Sequence, residues 1–247
     1  MTVFTVLSLV SVVSYATTVM AHGGVTSYNI AGKAYTGWQP YNDPNSQISI
    51  ERPYSSYNPI MSATDTTISC NDDGWPSSNQ LSATVLAGSE VTAHWAQWTH
   101  AQGPVMVYMA SCGDTCYSVN TAELNWFKIA ETGLVSGNLP NGVWGTGLVM
   151  NSLSYNATIP KTLAPGEYMI RHELLALHQA NTPQFYPECA QLIVTGNGTA
   201  TPPSSMTIKL PGGYSQSDPS INIDIYTADA AKTYSYTVPG PAVWTGE

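Results

Sequence analysis

The hydrophobic pattern along this chain alternates more often than it repeats at helical spacing. In "EVTAHWAQW" (90–98), Val91, Ala93 and Trp95 fall on one face and Thr92 and His94 on the other, the period of two expected of a half-buried strand. Further runs of strand length follow: "PVMVYMA" (104–110), "NWFKIAE" (125–131), "YNATIP" (155–160), "EYMIRHELLALH" (167–178) and "QFYPECAQLIVT" (184–195). Between them stand "AGSE", "SGNLPNG", "LAPGE" and "TGNGTATPPSS", clusters whose Gly, Pro, Asn and Ser residues supply turn conformations. Many short strands separated by turn signals predict an all-β antiparallel sandwich. "AELNW" reads as a helical turn, and no long helical period occurs. The stretch 196–205 reads as a loop within one domain. After it, "SINIDIY" (220–226) puts Ile221, Ile223 and Ile225 in phase and predicts that a strand resumes.

The first 21 residues, "MTVFTVLSLVSVVSYATTVMA", differ from the rest. They hold no charged side chain, an apolar run from Val3 to Val13, then small residues ending in Ala21 with Val19 two places before it. This is the pattern of a secretory signal peptide, too short and too rich in Ser and Thr for a membrane anchor. Cleavage after Ala21 leaves 226 of the 247 residues, 22–247, beginning at His22. The expectation is a secreted, extracellular protein with one catalytic β-sandwich domain over 22–247 and no appended carbohydrate-binding module. Seven Lys+Arg against 16 Asp+Glu give a formal charge of −9. An acidic chain without basic clusters argues against nucleic acid and anionic membranes as partners. Charged residues are only 9 % of the chain, beside 15 Tyr and 7 Trp; that balance suits a neutral, polar partner such as carbohydrate, and a monomer.

Secretion also sets the cysteine chemistry. Cys70, Cys112, Cys116 and Cys189 read as two disulfides with three possible connectivities. Cys112 and Cys116 can close locally through a Gly-Asp turn, which leaves Cys70 with Cys189. No paired C-x-x-C spacing supports zinc. Asn156-Ala-Thr and Asn197-Gly-Thr are glycosylation acceptors. Asp72-Asp73 and scattered Glu form no acid/base pair of the kind a glycoside hydrolase needs.

An N-terminal histidine offers an α-amine and a ring Nδ1 from one residue, which together can chelate a metal. One further imidazole completes a planar three-nitrogen set that favours Cu(II). The amine must lose its proton to bind, and its reference pKa of about 7.7–8.0 lets copper displace that proton near neutrality. His100, in the turn "WTHAQGP", is the candidate for the second imidazole; His94 lies mid-strand. His172 and His178 share strand parity, as do Gln184 and Tyr186, so each pair points one way. His, Gln and Tyr on one face suit a buried hydrogen-bond network or a metal's outer shell.

Five segments, "HGGVTSYNIAGKAYTGW", "GPVMVYMASCGDTC", "NWFKIAETG", "IPKTLAPGEYMIRHELLALH" and "QFYPECAQLIVTG", together resemble the fungal lytic polysaccharide monooxygenases of auxiliary activity family 9, over nearly the whole chain from His22. The resemblance implies an immunoglobulin-like or fibronectin-like sandwich with long loops and little helix. It implies one copper ion held by the His22 amine and Nδ1 and by His100, with Tyr186 axial. His178, Gln184 and Tyr186 would take the catalytic positions around it. Tyr214, in "GGYSQSDP", and Tyr41 would lie on a flat substrate surface, and Cys70–Cys189 and Cys112–Cys116 would be the disulfides. One departure is His100-Ala101-Gln102-Gly103-Pro104, a residue longer than the usual His-x-Gly-Pro; another is Ser220 where glycine is common. The implied activity is copper-dependent oxidative cleavage of cellulose or a related β-glucan at C1, C4 or both. It uses O₂ or H₂O₂ and a small-molecule or redox-protein electron donor. A non-catalytic secreted copper-binding or carbohydrate-binding protein is the alternative, less favoured because His178 and Gln184 serve oxygen chemistry.

Overall fold

The computed structural model describes residues 22–72 and 74–247; the expected leader and Asp73 lie outside the described residues. Twelve strands are described. In chain order they are β1 (Val25–Ile30), β2 (Lys33–Thr36), β3 (Ala83–Leu86), β4 (Glu90–Trp95), β5 (Val105–Ser111) and β6 (Trp126–Thr132). Then come β7 (Leu134–Ser136), β8 (Val143–Trp144), β9 (Ser154–Thr158), β10 (Gly166–Ala176), β11 (Gln184–Thr195) and β12 (Thr207–Ile208). A four-stranded sheet has the order β2-β1-β4-β9, and a six-stranded sheet the order β12-β6-β5-β10-β11-β3. β7 and β8 form a separate ribbon. Pairing is antiparallel except between β11 and β3, which run parallel. The result is a β-sandwich, as the alternation predicts.

The two sheets differ in what covers them. β4 shows the expected alternation, with Val91, Ala93 and Trp95 buried. Its apolar face packs with Tyr28 of β1 against Ile170, Leu174, Ala190 and Leu192 of the other sheet. β10 and β11 are instead buried on both faces. Their second face carries Met169, Leu175 and Phe185, which pack with Trp126, Tyr214, Ile221 and Ile225 under the long segments 37–82 and 209–247. This double cover explains why "RHELLALH" has no polar outside face.

Burial on both faces puts polar side chains inside, where each must find a partner. Arg171 forms a 2.7 Å ion pair with Glu173, and both are fully buried. The guanidinium also donates to the Ser69 and Ile68 carbonyls at 2.7 and 2.8 Å, tying the first long loop to β10. Tyr214 donates to Glu173 Oε2 at 2.7 Å and meets the Tyr108 hydroxyl at 2.7 Å, which ties in the second loop. Tyr214 is therefore 3 % exposed and is not a surface aromatic. Its phenol completes an interior network, and burial followed by the Glu173 charge raises its pKa.

The strand expected over 220–226 is also absent. Ile221 and Ile225 are buried, but through turns. The Asp218 carbonyl accepts from the Ile221 and Asn222 amides at 2.9 and 2.8 Å, and its Oδ1 accepts from Ser220 N at 2.8 Å. Local capping satisfies this backbone, so it needs no sheet partner. "AELNW" does carry a 3₁₀ turn, Thr121–Glu123. The α-helix α1 (Gly145–Ser152) has no counterpart in the hydrophobic pattern. Two glycines and eight residues give it little periodicity, and contacts with the loop after β4 hold it.

Disulfides join Cys70 to Cys189 and Cys112 to Cys116. The first closes a separation of 119 residues and pins the 37–82 loop to β11, a constraint worth about 4–5 kcal/mol in the chain-entropy account.

Candidate metal centre

The site lies where β10 ends, β11 begins and the chain enters β1. Gln184 and Tyr186 open β11 two residues apart, so they share a face. His178 follows the end of β10, beyond the Ala176–Gln184 pair. His22 stands three residues before β1, which pairs with β4. His100 sits in the loop between β4 and β5. These four elements bring three rings into a triangle: His22 to His100 at 5.6 Å, His22 to Tyr186 at 5.9 Å and His100 to Tyr186 at 6.3 Å between centroids.

The longer loop after His100 has a defined path. Trp98 Nε1 donates to the His100 carbonyl at 2.7 Å. Leu177 N donates to the Gln102 carbonyl at 2.9 Å and Leu175 N to the Pro104 carbonyl at 3.1 Å. Thr146 of α1 donates its hydroxyl to Ala101 O and Gly103 O at 3.1 and 3.0 Å. The additional residue is thus absorbed between β10 and α1. Gly103 makes this possible. Its φ is +139°, and a Cβ there would lie 1.8 Å from the Leu175 carbonyl oxygen. Gly103→Ala is expected to cost about 3 kcal/mol or more, lowering the thermal midpoint of the metal-free protein by about 6–12 °C for a chain of this size. Calorimetry of the two proteins checks this.

The electrostatics of the triangle favour a metal. His100 Nε2 is buried without a hydrogen-bond partner, and an unpaired buried nitrogen costs about 1–3 kcal/mol. Burial, then repulsion from His178 and His22, pushes the His100 pKa down to about 4. The ring is therefore neutral near pH 7, with a lone pair for a cation. His178 stacks on His100 with centroids 3.9 Å apart and planes within 5°; its pKa is lowered by burial and then by His22. Such a parallel stack holds the His100 ring rather than sharing a metal with it. Among the described residues no cluster of three or more His, Cys, Asp or Glu surrounds a cation position. A His22 amine freed by cleavage would add a third nitrogen to the two rings.

Tyr186 donates its hydroxyl to Gln184 Oε1 at 2.9 Å. Burial, then the Glu188 charge, raises its pKa, so the phenol keeps its proton. Trp98 packs edge-on against both Tyr186 and His100, at 4.8 and 5.2 Å.

The surroundings sort the remaining sequence expectations. Tyr41 is 60 % exposed and meets Tyr57 edge-on at 5.3 Å; the Tyr57 ring in turn comes within 3.0 Å of where a Gly24 Cβ would stand. Both therefore flank the segment that carries His22. Tyr226, overlooked in the sequence, is 52 % exposed and donates its hydroxyl to the His178 carbonyl at 3.0 Å. Reading 220–226 as a strand hid it. His172 lies in the sandwich core between Tyr28 and Trp95, away from the triangle, and burial lowers its pKa to about 3. Asn156 and Asn197 are exposed.

The chain is similar to known proteins in sequence and fold. Auxiliary Activity family 9 (formerly GH61) matches residues 22–236. The AA9 family lytic polysaccharide monooxygenase B of Heterobasidion irregulare is 57 % identical over 230 residues, covering 92 % of this chain and 93 % of that protein. The AA9 family lytic polysaccharide monooxygenase D of Thermothelomyces thermophilus is 44 % identical over 234 residues, covering 92 % and 89 %. The crystal structure of HiLPMO9B superposes with a TM-score of 0.88 at 56 % identity, over 91 % of this chain and all of that one. That of a cellulose-active polysaccharide monooxygenase from M. thermophila gives 0.84 at 42 %, over 92 % and all.

Proposed function

The chain belongs to Auxiliary Activity family 9, and on that premise we propose that it is a secreted enzyme that cleaves cellulose or a related β-1,4-glucan at a one-copper site built on His22 and His100. As a family member it is a lytic polysaccharide monooxygenase, a copper-dependent oxidoreductase that breaks polysaccharides oxidatively with an external electron donor. The observation that carries the site assignment is the buried, unpartnered Nε2 of His100 beside the His22 ring.

In this reading, removal of residues 1–21 frees the His22 amine, and 22–247 is the catalytic domain. The amine and Nδ1 of His22 and Nε2 of His100 would hold copper, with the Tyr186 ring beside them. Copper, when bound, supplies the one-electron chemistry that activates O₂ or H₂O₂ for hydroxylation of C1 or C4 of a glucose unit. The protein supplies the rest. Tyr186 stays protonated and orients Gln184 through its 2.9 Å bond. Gln184 and the neutral ring of His178 are placed to hydrogen-bond the oxygen co-substrate. Tyr41, Tyr57 and Tyr226 offer ring faces to the apolar C–H faces of sugars. The new hydroxyl then collapses to a carbonyl, the bond from that carbon to the glycosidic oxygen breaks, and the oxygen leaves with the proton as the neighbouring sugar's hydroxyl, so the chain breaks. Asn156 and Asn197, both exposed, carry glycans. The cellulose activity named for the M. thermophila neighbour supports the substrate.

Copper-loaded protein incubated with cellulose and ascorbate should release aldonic acids, gem-diol oligosaccharides or both, read by mass spectrometry. Absence of oxidised products under both O₂ and H₂O₂ would overturn the substrate assignment.

A further inference from the structure

Gly23 and Gly24, the two residues that carry the proposed ligand His22 into β1, run through a narrow slot. A Cβ on Gly23 would lie 1.7 Å from the Gln97 carbonyl oxygen. One on Gly24 would lie 2.6 Å from Glu188 Oε1 and 2.7 Å from the Tyr54 hydroxyl. Only a chain without side chains passes there. The slot also grips the backbone. Gln97 Nε2 donates to the His22 carbonyl, Ala96 N donates to the Gly24 carbonyl at 3.0 Å, and the Tyr54 hydroxyl donates to the Val25 carbonyl at 2.8 Å.

One grip comes from the opposite sheet. The β1–β4 ladder shifts register between Val25 and Ser27, and the Val25 amide donates to Glu188 Oε2 at 2.9 Å instead. Glu188 is 2 % exposed. It stands two residues after Tyr186 on β11, so both side chains leave one face of one strand. A carboxyl group taken out of water is costly unless it is hydrogen-bonded, and the Val25 amide supplies that bond. Here the bond crosses the sandwich. It fixes the base of the His22 arm to the strand that presents Gln184 and Tyr186.

We propose that Glu188, with Tyr54, is a positioning residue that sets where the His22 amine and ring stand relative to His100 and Tyr186. This rests on the His22–His100 reading of the copper site and extends it inward. Without the clamp the arm is tethered only on the β4 side. His22 then samples several positions, and copper binding must select among them.

The test compares Glu188→Ala, Glu188→Gln and Tyr54→Phe with the parent, each as the full secreted chain. Three readouts are used: exchange of the Val25 amide in the metal-free protein, Cu(II) affinity, and the Cu(II) electron paramagnetic resonance spectrum. Glu188→Ala should speed Val25 exchange relative to Tyr28 and weaken Cu(II) binding, each about tenfold, the cost of leaving one buried amide without its acceptor. Its spectrum should broaden or shift. Glu188→Gln keeps an acceptor oxygen for Val25 and should stay within about twofold of the parent on both scales. Faster Val25 exchange with unchanged affinity and spectrum in Glu188→Ala would make Glu188 a fold contact only and overturn the proposal. So would a Glu188→Gln protein that behaves like Glu188→Ala. If Glu188→Ala does not fold, Tyr54→Phe decides: it should move all three readouts in the same direction, and an unchanged spectrum and affinity refutes the clamp. A parent that fails to bind copper at His22 refutes the site itself, a result distinct from any of these.

Discussion

His100→Ala lowers Cu(II) affinity by well over the roughly 100-fold that loss of an outer partner of a metal ligand costs, and abolishes oxidative cleavage. The reason is the ligand count. Only two imidazoles in the triangle can reach a shared metal, because His178 lies flat on His100 at 3.9 Å. Removing one leaves a two-atom chelate from His22 alone. The same substitution should hardly disturb the metal-free fold. His100 Nε2 has no hydrogen bond to lose. The stacking with His178 and Trp98 is worth about 1 kcal/mol, or about 2–4 °C in the thermal midpoint. Isothermal titration and calorimetry on the same preparations separate the two effects. Unchanged affinity would remove His100 from the site.

A second large effect is expected at the other ligand. A protein that keeps Ala21 ahead of His22 should lose about 100-fold or more in Cu(II) affinity and in cleavage, while its metal-free melting temperature stays that of the parent. The added peptide bond turns the amine into an amide whose lone pair is delocalised into the C–N bond. The chelate then loses a donor. The contacts that hold the arm use the His22 carbonyl, the Gly24 carbonyl and both backbone groups of Val25, and none needs a free amine. Full activity in the extended protein would exclude amine ligation.

What the sequence reveals and what it hides follow from range. Strand runs at 90–98, 104–110, 125–131 and 184–195 each overlap an observed strand, because alternation and turn residues are local signals. The parallel β11–β3 pair depends on a distant partner and left no local trace. Residues 220–226 show why in-phase isoleucines are ambiguous: Ile221 and Ile225 are buried four apart by turns that Asp218 caps. The same misreading concealed Tyr226, whose place beside His178 follows from those turns. Tyr214 erred in the opposite way. The family resemblance implies a surface aromatic there, yet a buried Arg171–Glu173 pair needs another partner and draws the phenol inside. At the site, His22 was legible from the cleavage pattern and Gln184 with Tyr186 from parity. The turn "WTHAQGP" marks His100 as a candidate second imidazole, the catalytic roles rest on family resemblance, and the triangle of His22, His100 and Tyr186 emerges only from the fold. Glu188 and Gln97 were not legible, since a carboxylate between strand residues and a glutamine beside a tryptophan carry no motif.

The central claim is that cleavage before His22 creates a copper ligand. Native mass spectrometry of the secreted protein, deglycosylated and copper-treated, addresses both halves at once. The expected result is the mass of a chain starting at His22 with one copper bound, and loss of that copper in His100→Ala. A chain starting at any other residue that still binds one copper, or a chain starting at His22 that binds none, would contradict it.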